Sequence, residues 1–128
     1  MSVLLDSDVV IEVLRARDQG ILSLWSTLAG SGTPILVSPV TIAEIWAGAR
    51  ASEHPAISRF FGPLTCAPAD HVTGQLAGEI LRKYSKSHGV EIADALIAAA
   101  AVQHKAALWT RNRKHYPTEG LTFYFVRQ

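Results

Sequence analysis

The 128 residues are 48% hydrophobic and 18% charged, a balance that suits one folded domain over residues 1–128 with a sizeable core and argues against disorder. A net charge of +1 supplies no global basic field, so any nucleic-acid surface has to be local. One cysteine, Cys66, excludes an internal disulfide framework and a cysteine-based zinc cluster, and fits a reducing cytoplasm.

The N-terminus shows no signal-peptide pattern, and the longest apolar-looking stretch, 92–102, is broken by Asp94 and too short to span a bilayer. Residues 3–5 read as a short buried strand ending at the polar pair Asp6 and Asp8, and 9–15 as a helix. A second helix over 21–28 stops at Gly30 and Gly32, and 35–37 is the next strand. Ser38-Pro39 supplies an N-cap and first helical residue for a helix reaching Ala49. Prolines and glycine break 52–63 into a short helix with loops, and 65–67 is a brief strand. Asp70 caps a long amphipathic helix to about Lys86, and Gly89 separates it from an alanine-rich helix over 91–104. A strand at 107–110, a loop at 111–120 and a last strand at 121–126 complete the chain. Alternating strands and helices imply an α/β fold with a parallel sheet covered on both faces, which gathers ligands at the carboxyl ends of its strands.

Four places set a polar group against an apolar background: Asp6 with Asp8, Glu44 in TIAEIWAG, Asp94 in VEIADALIAAAAV, and the loop WTRNRKHYP with Thr110 and Asn112 at its start. Each has a plain structural alternative. Asp6 or Asp8 can cap the following helix, Glu44 can lie on a solvated face with Thr41 and Gly48, and Asp94 can complement a helix dipole. Glu91 reads as a solvated helix-start acid. Three distant acids converging at one sheet edge repel unless a cation intervenes, and hard carboxylate oxygens suit Mg²⁺ or Mn²⁺. Such a centre supports phosphodiester hydrolysis without a protein nucleophile.

Other chemistries find no purchase. The five histidines are scattered without HExxH spacing, and neither a phosphate-binding glycine loop nor a G-x-S-x-G elbow occurs. Arg111, Arg113 and Lys114, followed by His115, form a basic cluster beside the expected acidic edge, where they can hold flanking phosphates of RNA or remain a solvated loop. Arg82, Lys83 and Lys86 read as ordinary surface charge.

Together, LLDSDVVIEVLR, SPVTIAEIWAGA, IADALIAAAAV and LWTRNRKHYP resemble the PIN-domain ribonucleases, and among them the VapC toxins of VapBC toxin–antitoxin pairs. The ordered set covers essentially the whole chain. The resemblance implies a three-layer α/β/α sandwich on a mainly parallel sheet and a Mg²⁺- or Mn²⁺-dependent endoribonuclease toxin. Its acids map onto Asp6, Glu44 and Asp94 as metal ligands and catalytic residues, with Thr110 and Asn112 orienting water or phosphate. It further implies structured RNA such as tRNA or rRNA as substrate, inhibition of translation and growth, a homodimer, and neutralisation by a VapB-type antitoxin lying across the site. The apolar helices over 21–28, with Trp25, and 42–46 either contact that antitoxin or simply pack the core. Where many relatives carry an acid in a T-R-D-x-x-F segment, Asn112 is an amide; Asp8, often asparagine in relatives, supports the site's negative charge instead. Two other readings stay open: a PIN-like module that binds RNA or a partner without cutting, and a haloacid-dehalogenase-like phosphatase suggested by the D-x-D-x-V pattern from Asp6.

Overall fold

A computed structural model describes residues 1–124. Its first strand, β1 (Ser2–Leu5), hydrogen-bonds on both sides, to β2 (Ile35–Val37) and to β4 (Ala106–Trp109), while β3 (Thr65–Cys66) extends the sheet beyond β2. All pairings are parallel, and Leu4 stands level with Leu36 on one side and Leu108 on the other. Central parallel strands are covered on both faces, which is why Val3, Leu4 and Leu5 run without a polar interruption. Around them lie α1 (Ser7–Arg15), α2 (Gln19–Ala29), α3 (Pro39–Ala47), α4 (His54–Phe61), α5 (His71–His88) and α6 (Ile92–Gln103).

The alternation of a strand's side chains divides the core in two. Leu4 and Leu108 meet Ala77 and Ile80 of α5 and the alanines of α6 on one face. Val3, Leu5 and Trp109 meet Val9 and Val10 of α1, Ile21 and Leu28 of α2, Ile45 and Ile57 on the other. Each fully buried Leu or Ile contributes about 1.5–3 kcal/mol relative to exposure, so the three-layer arrangement follows from the pattern. In α6, Ala95 and Ala98 to Ala101 are all buried, because small side chains let that helix approach both α5 and the sheet. Its apolar surface runs all round, as expected for a helix packed on several sides.

The local signals held with small shifts. Ser38 accepts from the Val40 amide and Pro39 opens α3. Asp70 caps α5 in a reciprocal pair with Thr73, and Gly89 takes the left-handed conformation (φ 65°) that ends the helix. The 52–63 segment is a short helix between turns, as expected: a 3₁₀ turn at Ala51–Glu53 runs into α4, which ends just before Gly62, and Pro55 sits in its first turn, where a missing N–H costs nothing. α1 starts at Ser7, two residues earlier than periodicity indicated, because Asp6 rather than Asp8 is its N-cap. The second helix likewise begins earlier, at Gln19, capped by Asp18. The expected strand over 121–126 is reduced among the described residues to one bridge, Phe123 beside Leu108, with 125–126 lying outside them.

Candidate acidic active site

The parallel sheet aims three chain crossings at one edge. β1 ends just before Asp6, β4 just before Thr110, and β2 just before Ser38, which caps the helix carrying Glu44. A fourth piece, the first turn of α6, brings Asp94. Asp6, Asp8, Glu44, Asp94 and Asn112 line a single cleft of about 260 Å³ together with Ser7, Ile11, Ile97 and His115. The acids separated by up to 88 positions in sequence are therefore neighbours around one space. Ser38 does not line it; its hydroxyl is used in the cap.

Asp6 is the best-held member. Only 8% exposed, it accepts from the Ser7 amide through Oδ1 at 2.8 Å and from the Thr110 hydroxyl through Oδ2 at 2.7 Å. Thr110 in turn accepts from the Asn112 amide at 3.0 Å, so the loop after β4 is referenced to the end of β1. Glu44 lies on an exposed position of α3, yet the Ser7 hydroxyl donates to its Oε1 at 2.7 Å and sits 3.1 Å from Thr41 Oγ1. The face shared by Thr41, Glu44 and Gly48 is divided: Thr41 is fully buried and turned to α1, while Glu44 and Gly48 are exposed.

Negative charge is crowded here, and the titrations record it. Burial and then the neighbouring Asp6 push the Asp8 carboxyl up to about 6, against the Arg111 amide that stabilises its charged form. Asp94 is also held above the ordinary carboxylate range, first by burial and then by Asp6 and Glu91, with His115 acting in the opposite direction. Asp8 Oδ2 accepts from the Arg111 amide at 3.0 Å, while its buried Oδ1 finds no hydrogen-bond partner among the described residues. Such a group costs free energy unless something else in the site compensates it.

The basic cluster divides its labour. The Arg111 guanidinium faces Glu12 at 3.3 Å and Asp18 at 4.0 Å, pinning the loop to α1 and the start of α2. Arg113 stacks its guanidinium 4.8 Å above the Phe123 ring. Lys114 is exposed, and His115 turns to the cleft with its Nε2 3.1 Å from the Asn112 amide nitrogen. Two expected phosphate-binding arginines are therefore engaged in holding the protein's own loop.

Three participants were not singled out from sequence. Ser7 carried a signal in its place between the two aspartates at a strand end. His115 was grouped with its basic neighbours, though it alone of them lines the cleft. Tyr116 gave no signal: it is buried beneath the loop, its hydroxyl without a partner of good geometry among the described residues, and burial followed by the charge of Asp6 raises its titration. The apolar helices are mostly core, as Ile21, Leu28 and Ile45 are buried and Trp25 packs on Phe60 at 5.1 Å between ring centroids. Trp46 is 37% exposed with an edge contact to His54.

The donor set is all hard oxygen, and its mutual repulsion is what a divalent cation relieves. Among the described residues no group of three or more His, Cys, Asp or Glu side chains stands close enough together to hold a metal ion as they are placed. Mg²⁺ ordinarily takes only one or two carboxylates, with waters completing its shell.

Known proteins share the sequence and the fold of this chain. The PIN-domain family model matches residues 3–120. Ribonuclease VapC10 of Mycobacterium tuberculosis is 35% identical over 120 residues, covering 90% of this chain and 86% of that protein. Ribonuclease VapC19 of the same organism is 31% identical over 115 residues, covering 89% and 91%. In structure, VapBC2 from Rickettsia felis, crystallised with a DNA fragment from its promoter, superposes with a TM-score of 0.81 at 21% identity, over 97% of this chain and 98% of that one. A parallel α/β/α sheet, an acid cleft at its carboxyl edge and a match over nearly the whole chain lead to one assignment: the protein belongs to the PIN-domain family, among its VapC members.

Proposed function

We propose that the protein is the toxin of a VapBC-type pair, an endoribonuclease dependent on Mg²⁺ or Mn²⁺, acting in the cytoplasm on structured RNA such as tRNA or rRNA and thereby halting translation and growth. The single observation that carries the reading is the gathering of Asp6, Glu44 and Asp94 around one cleft at the sheet edge. VapC ribonucleases are generally divalent-metal dependent, and in this chain Asp6, Glu44 and Asp94 are the side chains that would hold the ion. When bound, it lowers the pKa of a coordinated water and offsets charge at the scissile phosphate. Thr110 fixes the Asp6 carboxylate in orientation, Ser7 does the same for Glu44, and Asn112 offers an amide to water or phosphate at the loop wall. Asp8 supports the negative charge and holds the loop through the Arg111 amide.

A phosphatase that uses Asp6 as nucleophile fits poorly. Among the described residues lining the cleft there is no lysine to stand beside an aspartyl nucleophile. An antitoxin segment has a place to lie: a groove of about 150 Å³ lined by Ile11, Leu14, Ile45 and Ile57 shares Ile11 and Glu44 with the acid cleft. A segment with apolar side chains in this groove reaches the site directly and would block it. A homodimer belongs to the same reading.

Cleavage of a total tRNA pool with Mn²⁺ present tests the proposal. Parent protein is expected to cut, and Asp94→Asn to lose at least about a hundredfold in rate while its melting temperature stays within a few degrees of the parent's. RNA bound by the parent but left intact at every Mn²⁺ concentration would instead identify a binding module.

A further inference from the structure

The acid cleft has to admit a polyanion, and that raises the question of which group receives it. Four carboxylates line the space, and a phosphodiester approaching them meets repulsion even after one divalent charge is added. Phosphate contacts are ordinarily made by arginine and lysine. In this loop Arg111 is directed to Glu12 and Asp18, and Arg113 lies over Phe123. Lys114 is exposed but does not line the cleft. Among the lining side chains His115 alone can carry a positive charge, and the Asn112 side-chain nitrogen stands against its ring, 3.1 Å from Nε2 and 3.4 Å from Nδ1. Closeness to both ring nitrogens at once packs the amide on the ring and leaves a ring N–H to donate outward.

We infer that His115, oriented by Asn112, is a substrate-contacting residue that donates a hydrogen bond to a phosphodiester oxygen at the mouth of the acid cleft, whereas Arg111 serves the loop and not the RNA. This inference rests on the ribonuclease reading and names the group that receives the substrate in it.

Three variants test it, with Mn²⁺-dependent cleavage of a tRNA pool and equilibrium binding of a fluorescent single-stranded RNA as readouts. His115→Ala is expected to raise KM about tenfold and weaken RNA binding by a similar factor, with a smaller change in kcat. His115→Gln keeps a donor but not the charge and should recover part of the loss. Arg111→Ala is expected to leave the salt dependence of RNA binding unchanged; a lost phosphate contact would flatten its log–log slope by roughly 0.7. The inference is overturned if His115→Ala binds and cuts within twofold of the parent, if the glutamine variant is as impaired as the alanine one, or if Arg111→Ala flattens the slope. A parent that neither binds nor cuts RNA defeats the ribonuclease reading as well, and is recognised before any variant is compared.

Discussion

At Asp8 the site works against the stability of the protein that carries it. The native carboxyl holds its proton up to about pH 6, whereas the unfolded one releases it near the ordinary value of 3.8. Between those two values the native state binds more protons, so stability falls as pH rises through the window, and the penalty is fully present above it. A shift of that size converts to about 3 kcal/mol at most, and partial exposure reduces it to roughly 1–2 kcal/mol. In metal-free protein Asp8→Asn, which keeps an acceptor for the Arg111 amide, is expected to gain about that much at pH 7.5 and nothing at pH 3.5. Chemical denaturation at the two pH values measures the difference, and an equal gain at both would show that charge is not its source. Sequence put Asp8 beside Asp6 but could not divide their roles. Which of two aspartates caps a helix depends on where the strand before it ends, and that end is fixed by the pairing of Leu5 with Val37 and Trp109.

The alanine-rich helix shows how far composition reaches at the scale of one element. A run of small residues around Asp94 implied close packing, and the observed burial of Ala95 and Ala98 to Ala101 is that packing. Ala99, with no exposure, has sheet and helices on its surroundings and no room for a larger side chain. Replacing it by leucine is expected to cost about 1–3 kcal/mol by overpacking, read as a lower denaturation midpoint at unchanged slope. A variant as stable as the parent would mean that α6 is less tightly enclosed. Elements with a strong local signal, such as Ser38-Pro39 before α3 or Gly89 after α5, were legible because caps and turns act over a few residues. The partition of the WTRNRKHYP loop was not. Whether an arginine faces RNA or Glu12 is decided by a helix about a hundred positions away, and Tyr116 is buried in the core cluster on the α5 and α6 side of the sheet.

For the molecule as a whole, the repulsion stored around the cleft and the affinity for a cation are the same free energy seen from two sides. Mn²⁺ at a hundred times its dissociation constant adds about 2.7 kcal/mol of stability, expected as a rise of several degrees in melting temperature relative to protein in EDTA. Asp94→Asn should reduce that rise, and the advantage of Asp8→Asn should shrink once the ion is present. Identical melting with and without Mn²⁺ would remove the metal from the account. This measurement reads binding alone and so is independent of whether any RNA is cut.

β1 is bonded to a neighbour on each side and lies at the centre of both cores. Asp6, at its tip, therefore shares the lifetime of the entire fold, since releasing it means parting the middle of the sheet. The wall opposite is a loop held through Thr110, the Arg111 amide, the surface ion pairs of Arg111 and the stacking of Arg113 on Phe123, with Tyr116 buried at its end. The cleft thus joins a floor that opens only on global unfolding to a side that can yield by local fluctuation, which lets an RNA strand enter without disturbing the acids beneath it.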